Sequence, residues 1–388
     1  MSAFLEFHII QNFAPSNLNR DDTGSPKDAL FGGHRRARVS SQCQKKSVRD
    51  YFKTSSLIED RNLGIRTQHL DRVLNEALVS IGVRDTSFFN ELVKLALKTK
   101  KVKEDKKDDE ESNSESKLSY LLFISATEIE ALAELIKADK ETLLVLAGKK
   151  KLKQNDIPED FKEKLKKILI KSRAVDIALF GRMLADLPKA NQDAASQVAH
   201  AISTHRVERE FDYFTAVDDK STEEETGAGM ISQVEFNSAT FYRYAVLDVQ
   251  KLLDNLQGDQ ELTLSAVSAF TEALVRAIPT GKQNSFAAHN PPAFVGISLR
   301  YGAPLSLANA FEKPVTPRVD QELTVQSVEK LAACDGRLSA GYGDDKDRWV
   351  ALDLTEGSVW PEDKGDKVKN LKELASEARK LAETLLGA

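Results

Sequence analysis

The residues most able to do chemistry lie between positions 17 and 49, in the stretch NLNRDDTGSPKDALFGGHRRARVSSQCQKKSVR. Arg36, Arg38 and Ser40 alternate there with apolar residues, so a strand would turn two cations and a hydroxyl to one solvent-facing side. Residues 32–53 contain seven Lys or Arg and one acid, a local charge of +6 in a chain whose formal charge is −5. Such a local excess is typical of a surface that binds nucleic-acid phosphates.

A helix is predicted to follow this strand. Ser41 and Gln44 have the spacing of a capping box, which predicts a helix that begins near Gln42. Its first backbone N–H groups lack partners within the helix and therefore suit a phosphate. Four residues recur at the spacing of one helix face: Gln42, Lys45, Lys46 and Arg49. The alternative interpretation is a charged helix face that is only solvated.

The composition is that of a globular protein with a charged insertion. The 388 residues are 41% hydrophobic and 30% charged, which allows one elaborated domain or about two to three smaller ones. Cys43 and Cys334 form no CxxC pair, so neither a disulfide framework nor a zinc site is predicted, and no cofactor is expected. The first residues lack a signal-peptide pattern, and no window reaches the roughly 20 apolar residues of a membrane-spanning helix. We therefore expect a cytoplasmic protein without a membrane role.

Alternating and amphipathic patterns predict an α+β fold. The predicted strands are residues 4–13, the basic strand near 36–40, and residues 174–180, 235–249 and 294–300. The predicted helices outside the insertions are residues 263–278, 325–333 and 371–386. Strand, helix, strand, strand, helix, strand is the order of a ferredoxin-like sheet of the RNA-recognition-motif (RRM) type. A fold order alone names no function.

Two insertions interrupt that order. Residues 57–171 carry the apolar spacing of several helices. Within them, residues 100–117 have one apolar residue and dense charge of both signs, which predicts a disordered tip. The second insertion begins with a predicted helical piece at 194–204, continues through the aromatic run FDYF at 211–214 and ends in the acidic TEEETGAG. Three aromatic residues among four are hard to bury in a thin hairpin unless a partner covers them.

Asp21, Asp22 and Asp28 are the candidates for an enzymatic site. Three carboxylates in one loop could hold a divalent metal and cleave RNA, although they flank a TGSP turn rather than a rigid frame. Other common signatures are absent, since the chain has no GxxxxGK[ST], HExxH or GxSxG motif and no complete EF-hand loop. A metal-dependent RNA endonuclease is therefore the alternative to a binding protein.

Seven segments carry a family resemblance: SNLNRDD, FGGHRRARVSSQ, DIALFGRM, HAISTH, FDYFTAVDD, FYRYA and PLSLANAFEKPV. They closely resemble, in the same order, the CasC-type backbone subunit of Cascade, the type I-E CRISPR surveillance complex. The resemblance covers most of the chain and is weakest in the helical insertion and the C-terminal helix. It implies a non-catalytic subunit that polymerises head to tail along a guide RNA and presents it for pairing with target DNA in antiviral defence. It also implies other Cascade subunits as partners.

The resemblance implies a hand-like arrangement. An RRM-like palm would comprise residues 1–56, 172–184 and 236–388, a helical finger residues 57–171, and a thumb residues 185–235. The palm would grip the guide phosphates, and the thumb would fold over RNA held by the neighbouring subunit. Backbone subunits of the related type III complexes cut RNA with an acidic residue in a comparable loop, whereas type I-E cutting belongs to a recruited helicase–nuclease.

Specific residues follow from the resemblance. The implied guide RNA contacts are Arg20, Lys27, Ser40, Gln42, Lys45, Lys46 and Arg49. Arg36 and Arg38 of the basic strand add to this set from their pattern alone. His34 stands where the family resemblance leads us to expect a lysine, and an imidazole is mostly uncharged at neutral pH.

The implied base-displacing wedge is Met183, Phe214 and Thr215, because a flat ring and a flexible thioether suit the separation of stacked bases. Without the resemblance, a lone methionine near a strand end is more often a core residue. The finger lysines expected to touch target DNA are Lys137, Lys140, Lys149 and Lys150. For these lysines a solvated helix end is the plainer interpretation.

Overall fold

The structure is a computed structural model that describes residues 2–84, 86–97, 121–149, 152–170, 172–184, 188–216 and 230–387. The predicted disordered tip at 100–117 and the acidic segment at 222–229 lie outside the described residues. The chain divides into two compact units. The first unit comprises Met1–Ser55, Ser196–Val249 and Leu264–Ala388, and the second comprises Ser56–Ala195 and Gln250–Thr263.

The secondary structure of the described ranges alternates strands and helices. The strands are β1 (Ala3–Ser16), β2 (Asp28–Phe31), β3 (His34–Val39), β4 (Gly64–Thr67), β5 (Leu122–Ser125), β6 (Ser196–Val198), β7 (Ala201–Ser203), β8 (Glu210–Ala216), β9 (Met230–Leu247), β10 (Phe294–Tyr301), β11 (Arg348–Asp353) and β12 (Asp366–Lys367). The α-helices are α1 (Ser41–Ser55), α2 (Leu70–Ser80), α3 (Thr86–Ala96), α4 (Ala126–Ala138), α5 (Lys140–Leu144), α6 (Glu159–Ile170), α7 (Val175–Phe180), α8 (Val249–Asn255), α9 (Gln260–Arg276), α10 (Gln283–Phe286), α11 (Leu323–Tyr342) and α12 (Leu371–Leu386). In these ranges, none of the helices combines the length and apolarity needed to cross a membrane.

One large sheet runs through the first unit. Its order is β12-β11-β10-β1-β9-β7-β3-β2, and β6 and β8 each pair with β9. β1 lies antiparallel between β9 and β10, whereas β11 and β12 form a parallel pair, so the sheet is mixed. The predicted α+β class is confirmed. A ferredoxin-like palm within this larger sheet stays a prediction.

β1 is buried on both of its faces. Phe7 packs edge-on against Phe270 of α9, with ring centroids 5.5 Å apart. On the opposite face, the His8 ring lies 5.0 Å from both Tyr244 and Trp349. Helices or loops therefore cover both sides of the sheet here, and the polar residues of the strand, such as Glu6 and His8, are buried with the apolar ones.

Helices dominate the second unit. α2, α3, α4 and α6 contribute buried side chains such as Leu74, Leu92, Leu132 and Phe161 to one core. The amphipathic helices predicted within 57–171 are confirmed for the described residues, and the short β4–β5 pair was not predicted. The two compact units differ from the implied palm, finger and thumb, so that three-part division stays a prediction.

Two local predictions are wrong. The strand predicted at 174–180 is instead α7, which begins at Val175, because a short apolar run has no periodicity that separates a strand from a helix. The helix ends at Gly181, whose φ of 79° favours glycine and where a Cβ would lie 2.9 Å from the carbonyl oxygen of Gln192. Residues 194–204 form β6 and β7 rather than a helix, because both strands pair with β9 and sheet pairing overrides a weak local pattern.

Arg36 is fully buried, so the prediction that it faces solvent is wrong. Its Nη1 donates to the carbonyl oxygen of Ser203 (2.8 Å), and its Nη2 donates to those of Phe311 (2.6 Å) and Glu312 (3.2 Å). The guanidinium thus satisfies carbonyl groups on two other segments of the first unit, and burial lowers the pKa of Arg36. In this structure its Nη1 and Nη2 donate within the protein rather than to a phosphate, and its Nε is buried without a hydrogen-bond partner among the described residues.

The two adjacent arginines of β3 give a matched pair of variants. We expect Arg36→Ala to lower the free energy of unfolding by about 3 kcal/mol, because three buried carbonyl oxygens lose a charged donor. Arg35 is exposed and forms an ion pair with Asp28, so Arg35→Ala should cost less than about 1 kcal/mol. Urea denaturation followed by tryptophan fluorescence measures both, since Trp349 and Trp360 lie in the core of the same unit. Equal losses in the two variants would contradict the structural role of Arg36.

Candidate nucleic-acid interface

Asparagine side chains close the loop between β1 and β2. Asn17 Nδ2 donates to the carbonyl oxygens of Gly24 (3.0 Å) and Glu235 (2.8 Å). Asn19 Oδ1 accepts a hydrogen bond from the backbone N–H of Ser40 (2.9 Å). The loop is therefore tied to β9 and to the start of α1, and its basic residues are held beside that helix.

Asp21 organises the tip of the same loop. Its Oδ1 accepts hydrogen bonds from the Thr23 hydroxyl (2.7 Å) and from the backbone N–H groups of Thr23 (2.9 Å) and Ser25 (3.0 Å). These bonds, the Thr23 hydroxyl first, lower the pKa of Asp21. At the base of the loop, a Cβ on Gly281 would lie 2.4 Å from the carbonyl oxygen of Leu18, so a larger residue there would displace the loop.

Gly32 and Gly33 turn β2 into β3. Their φ angles of 58° and 77° fit a two-residue hairpin turn of type I′. A Cβ on Gly32 would lie 1.9 Å from the carbonyl oxygen of Glu312, so this position accepts only glycine. His34, the first residue after the turn, is exposed as an RNA contact would require.

The cap of α1 is Ser40 rather than Ser41, so the predicted capping box is wrong by one residue. Ser40 Oγ accepts from the backbone N–H of Cys43 (3.2 Å), and Ser40 itself is buried. Gln44 turns inward, where its Nε2 donates to the carbonyl oxygen of Ala199 (2.9 Å). The Ser40 hydroxyl therefore serves the helix in this structure, although the sequence placed it among the RNA contacts.

The residues of the predicted polar face of α1 lie at different depths. Gln42 and Lys46 are exposed and Lys45 is half-buried, whereas Arg49 is only 9% exposed. Lys46 also forms an ion pair with Asp50, one helical turn further on. Helical spacing thus predicts which residues share one side of α1, but it does not predict that Arg49 is buried.

Cations from the loop and from α1 meet around Cys43. Burial raises the pKa of the Cys43 thiol, and the ammonium groups of Lys27 and Lys46 act in the opposite direction. Arg20 is exposed and lines a groove of about 420 Å³ together with Lys46 and the aspartates at 21, 22 and 50. It also lines a second groove, of about 310 Å³, together with Lys282. We call Arg20, Lys27, Lys46 and Lys282 the basic surface.

β8 and β9 form a hairpin with exposed aromatic side chains. The strands pair antiparallel over 210–216 and 230–236. Phe211 and Tyr213 lie on one face of β8 and are 53% and 71% exposed, and Phe214 lies on the other face and is 41% exposed. Exposed rings on a narrow support suit base stacking. The predicted hairpin is confirmed for the described residues, and Tyr213 is a stacking candidate that the family resemblance did not imply.

Arg209 fixes the base of this hairpin. Its Nη1 lies 3.0 Å from Glu235 Oε2, and its Nη2 lies 2.9 Å from Asp28 Oδ2. Asp28 also forms an ion pair with Arg35. The Asp28 carboxylate therefore links β2 to the hairpin.

The three loop aspartates do not form a metal site. Asp21 is bonded within its own loop, and Asp28 is occupied by two arginines. Across the described ranges, no three His, Cys, Asp or Glu side chains are grouped so that they could hold a metal ion. The donor geometry, including that of Asp22, thus gives the ribonuclease alternative no support.

Met183 is 81% exposed, so the interpretation of this residue as core is wrong. It belongs to the second unit, whereas Phe214 and Thr215, both exposed, belong to the first. Exposure fits a contact with a partner for each of the three residues. Their joint action as a wedge stays a prediction.

The candidate DNA-binding lysines lie in the second unit. Lys137 and Lys149 are exposed and Lys140 is half-buried. Lys149 forms an ion pair with Asp156 at 2.6 Å, and Lys150 lies outside the described residues. DNA binding by this group stays a prediction.

Comparison with known proteins places the chain in a family. Residues 5–377 match the CT1975-like protein family. The chain belongs to this family. It is 31% identical to a chain of a solved "CRISPR RNA-guided surveillance complex, pre-nicking", with a TM-score of 0.82 over 98% of this chain and 100% of that one. It is 26% identical to a chain of another "CRISPR RNA-guided surveillance complex", with a TM-score of 0.71 over 97% and 99% of the two chains. No curated protein matches it.

Four residues that build the interface were not singled out from the sequence: Asn17, Asn19, Arg209 and Gly281. The asparagines carried a usable signal, because asparagine side chains in loops often bond to nearby backbone. Arg209 carried none, since its partner Asp28 is 181 positions away in sequence. The approach of Gly281 to Leu18 is equally non-local.

Variants of Asp21 separate a structural role from a catalytic one. Asp21→Asn keeps an Oδ1 acceptor, and it should bind single-stranded RNA at least as tightly as the wild type because a negative charge beside the cations is lost. Asp21→Ala should weaken binding roughly threefold, because the loop loses the acceptor that orders it. Fluorescence anisotropy with a labelled, unstructured RNA measures both. Magnesium-dependent cutting of complementary RNA by the wild type, lost in both variants, would instead establish a nuclease.

Proposed function

We propose that this chain is the backbone subunit of a type I-E Cascade complex and that it coats a guide RNA without catalysing a reaction. Membership of the CT1975-like family and the similarity to chains of two CRISPR RNA-guided surveillance complexes support a subunit of such a complex. The type I-E assignment rests on the seven collinear sequence segments. Copies would associate head to tail along the RNA, a heterologous contact that extends rather than closes.

The basic surface is the observation that carries the proposal. Its cations come from the β1–β2 loop, from α1 and from the turn at Lys282, in a chain with a net charge of −5. Cations that contact phosphates bind RNA without reading its sequence, which a subunit that must accept many guides requires. Because the loop is already closed by Asn17, Asn19 and Asp21, little ordering entropy is lost when RNA binds.

The aromatic hairpin supplies a second kind of contact. Phe211, Tyr213 and Phe214 expose ring surface at a place where Arg209 and Asn17 anchor the hairpin base. In the proposed assembly this hairpin acts as the thumb, and Phe214 inserts beside a guide base at regular intervals along the RNA. Stacking tolerates any base, because every base has a π-face.

Other parts of the chain would have further roles in the same assembly. The central strands of the large sheet would form an RRM-like palm, and the exposed finger lysines would approach target DNA. Guide–target pairing would read the sequence, and a recruited nuclease would cut the DNA. The chain would therefore act in the cytoplasm, in antiviral defence, with RNA, DNA and other Cascade subunits as partners.

Removal of two cations from the basic surface tests the proposal. Lys27→Ala combined with Lys46→Ala should weaken RNA binding similarly for unrelated sequences and should reduce the slope of log K against log salt by about 1.4, or about 0.7 per phosphate. Co-expressed with the other subunits and a CRISPR repeat array, the wild type should elute in a large particle that absorbs at 260 nm. The double variant should retain less RNA.

Lys369→Ala combined with Lys372→Ala is the matched control, because both lysines are exposed near the start of α12 and the net charge changes equally. It should leave the salt slope unchanged. A wild-type chain that elutes as an RNA-free monomer under co-expression would overturn the proposed function.

Phe214→Ala should leave the unfolding curve unchanged, because the ring is exposed, and should weaken RNA binding by about 1 kcal/mol or more through lost stacking. A 2-aminopurine base at each guide position in turn reports displacement, since its fluorescence rises when it leaves the stack. Tyr342→Ala, which removes an exposed ring at the end of α11, is the control and should retain the fluorescence rise. Unfolding of Phe214→Ala at lower urea would show that the ring is part of a core instead.

A further inference from the structure

The guanidinium of Arg38 is held by two acceptors. Its Nε donates to the carbonyl oxygen of Asp28 (3.1 Å), and its Nη1 lies 3.0 Å from Nδ1 of His200. Among the described residues, no hydrogen bond is made by Nη2 of Arg38. Arg38 is half-buried and His200 is exposed, so this pair lies at the surface of the first unit.

Arg38 combines two neutral acceptors with a position at the surface, which distinguishes it from its neighbours. Arg35 pairs with the Asp28 carboxylate, Lys46 pairs with Asp50, and Arg36 is buried away from solvent. A carbonyl oxygen and an imidazole nitrogen orient a guanidinium without cancelling its charge. Arg38 therefore keeps its full positive charge in a fixed orientation, with Nη2 available to an anion.

His200 is itself held in place from both sides. The preceding residue, Ala199, donates its N–H to the carbonyl oxygen of Tyr244 (2.9 Å) and accepts from Gln44 Nε2 (2.9 Å). The following residue, Ala201, pairs with Val39 in the sheet. His200 thus lies in the two-residue link between β6 and β7, and the backbone of this link is fixed on both sides.

Nδ1 of His200 can accept this bond only when it carries no proton. Partial burial, then the charges of Arg38 and Lys27, lower the pKa of His200. These two cations are the charged groups that act on the imidazole, and both favour its neutral form. At neutral pH the ring therefore accepts at Nδ1 and carries its proton on Nε2.

We propose that His200 is a positioning residue, which as a neutral acceptor aims Arg38 at a phosphate diester of bound single-stranded RNA. This inference rests on the proposed function and adds a residue that the family resemblance did not assign. Lys27 lies beside Arg38 in the fold, since the backbone N–H of Arg38 donates to the carbonyl oxygen of Lys27 (2.9 Å). Lys27 and Arg38 would then contact the same or adjacent phosphates.

Three variants of the full-length chain test the inference, with a fluorescein-labelled oligouridine as the probe. Arg38→Ala should weaken binding about tenfold, through loss of one charge-assisted contact. His200→Ala should weaken it about fivefold, and the double variant should be no weaker than Arg38→Ala, because the two residues act through one contact. His200→Asn should bind like the wild type, since an amide oxygen replaces the Nδ1 acceptor.

The salt dependence gives a readout that a merely structural role would not move. Loss of a neutral side chain cannot by itself change the number of displaced counterions, yet His200→Ala should reduce the slope of log K against log salt by about 0.7, as Arg38→Ala does. Unchanged affinity and slope in His200→Ala would overturn the inference, as would losses that add in the double variant or a His200→Asn variant as weak as His200→Ala.

The variant Lys27→Ala separates this inference from the proposed function. If Lys27→Ala weakens binding and His200→Ala does not, the positioning role is wrong while RNA binding by the basic surface stands. If the wild type does not bind the probe, the proposed function fails and the positioning role fails with it.

Discussion

The antiparallel pairing of β1 with β9 is the interaction on which the rest of the structure depends. The two strands stay in register from Leu5 opposite Leu247 to Phe13 opposite Ala239, and the register then shifts before Ser16. A slip of one residue would turn every buried side chain to the opposite face, so burial on both faces fixes this register. β1 continues into the basic loop, and β9 begins in the aromatic hairpin. The two segments that are candidates for RNA binding thus continue directly from this pair of strands. Beyond the change in register, Asn17 links them, because its side chain donates to the carbonyl oxygen of Glu235.

Positive charge also lies beneath the basic surface. Arg243 on β9 is buried, and among the described residues its hydrogen-bond acceptors are all neutral: Gln11 Oε1, Gln44 Oε1 and the carbonyl oxygen of Leu274. Burial lowers the pKa of Arg243 to about 10, so the guanidinium remains charged at neutral pH. Because no carboxylate cancels it and the interior screens poorly, this charge adds to the potential on the side of the sheet that Gln44 and α1 cover. Burial of a charge without a carboxylate partner lowers the folding stability. A site that binds a polyanion can tolerate this loss.

The sequence predicted secondary-structure elements well where a long periodic pattern distinguished a helix from a strand. The helix at 371–386 matches α12, and the strand at 294–300 falls within β10. It failed where the deciding contact was distant. β6 and β7 exist because they pair with β9, and α7 is a run of apolar residues without periodicity. For the site, the residue types and the loop were predictable from local patterns, but the depth of each side chain was not. No local sequence pattern predicts that the carbonyl oxygen of Phe311 accepts a hydrogen bond from Arg36.

Three arginines within four residues of β3 show why a count of charges overstates a binding site. Arg35 is paired with the carboxylate of Asp28, and Arg36 is buried and bonded to carbonyl oxygens within the protein. Of the three, only Arg38 combines neutral acceptors with a position at the surface. The strand is the same for all three, so the difference comes from the acceptors that β2, β7 and the link between β6 and β7 offer to each guanidinium. The local charge of +6 is therefore an upper bound on the phosphates that this stretch can bind. Affinity for RNA here depends on which acceptors the fold supplies to each cation, and those acceptors come from segments far away in the sequence.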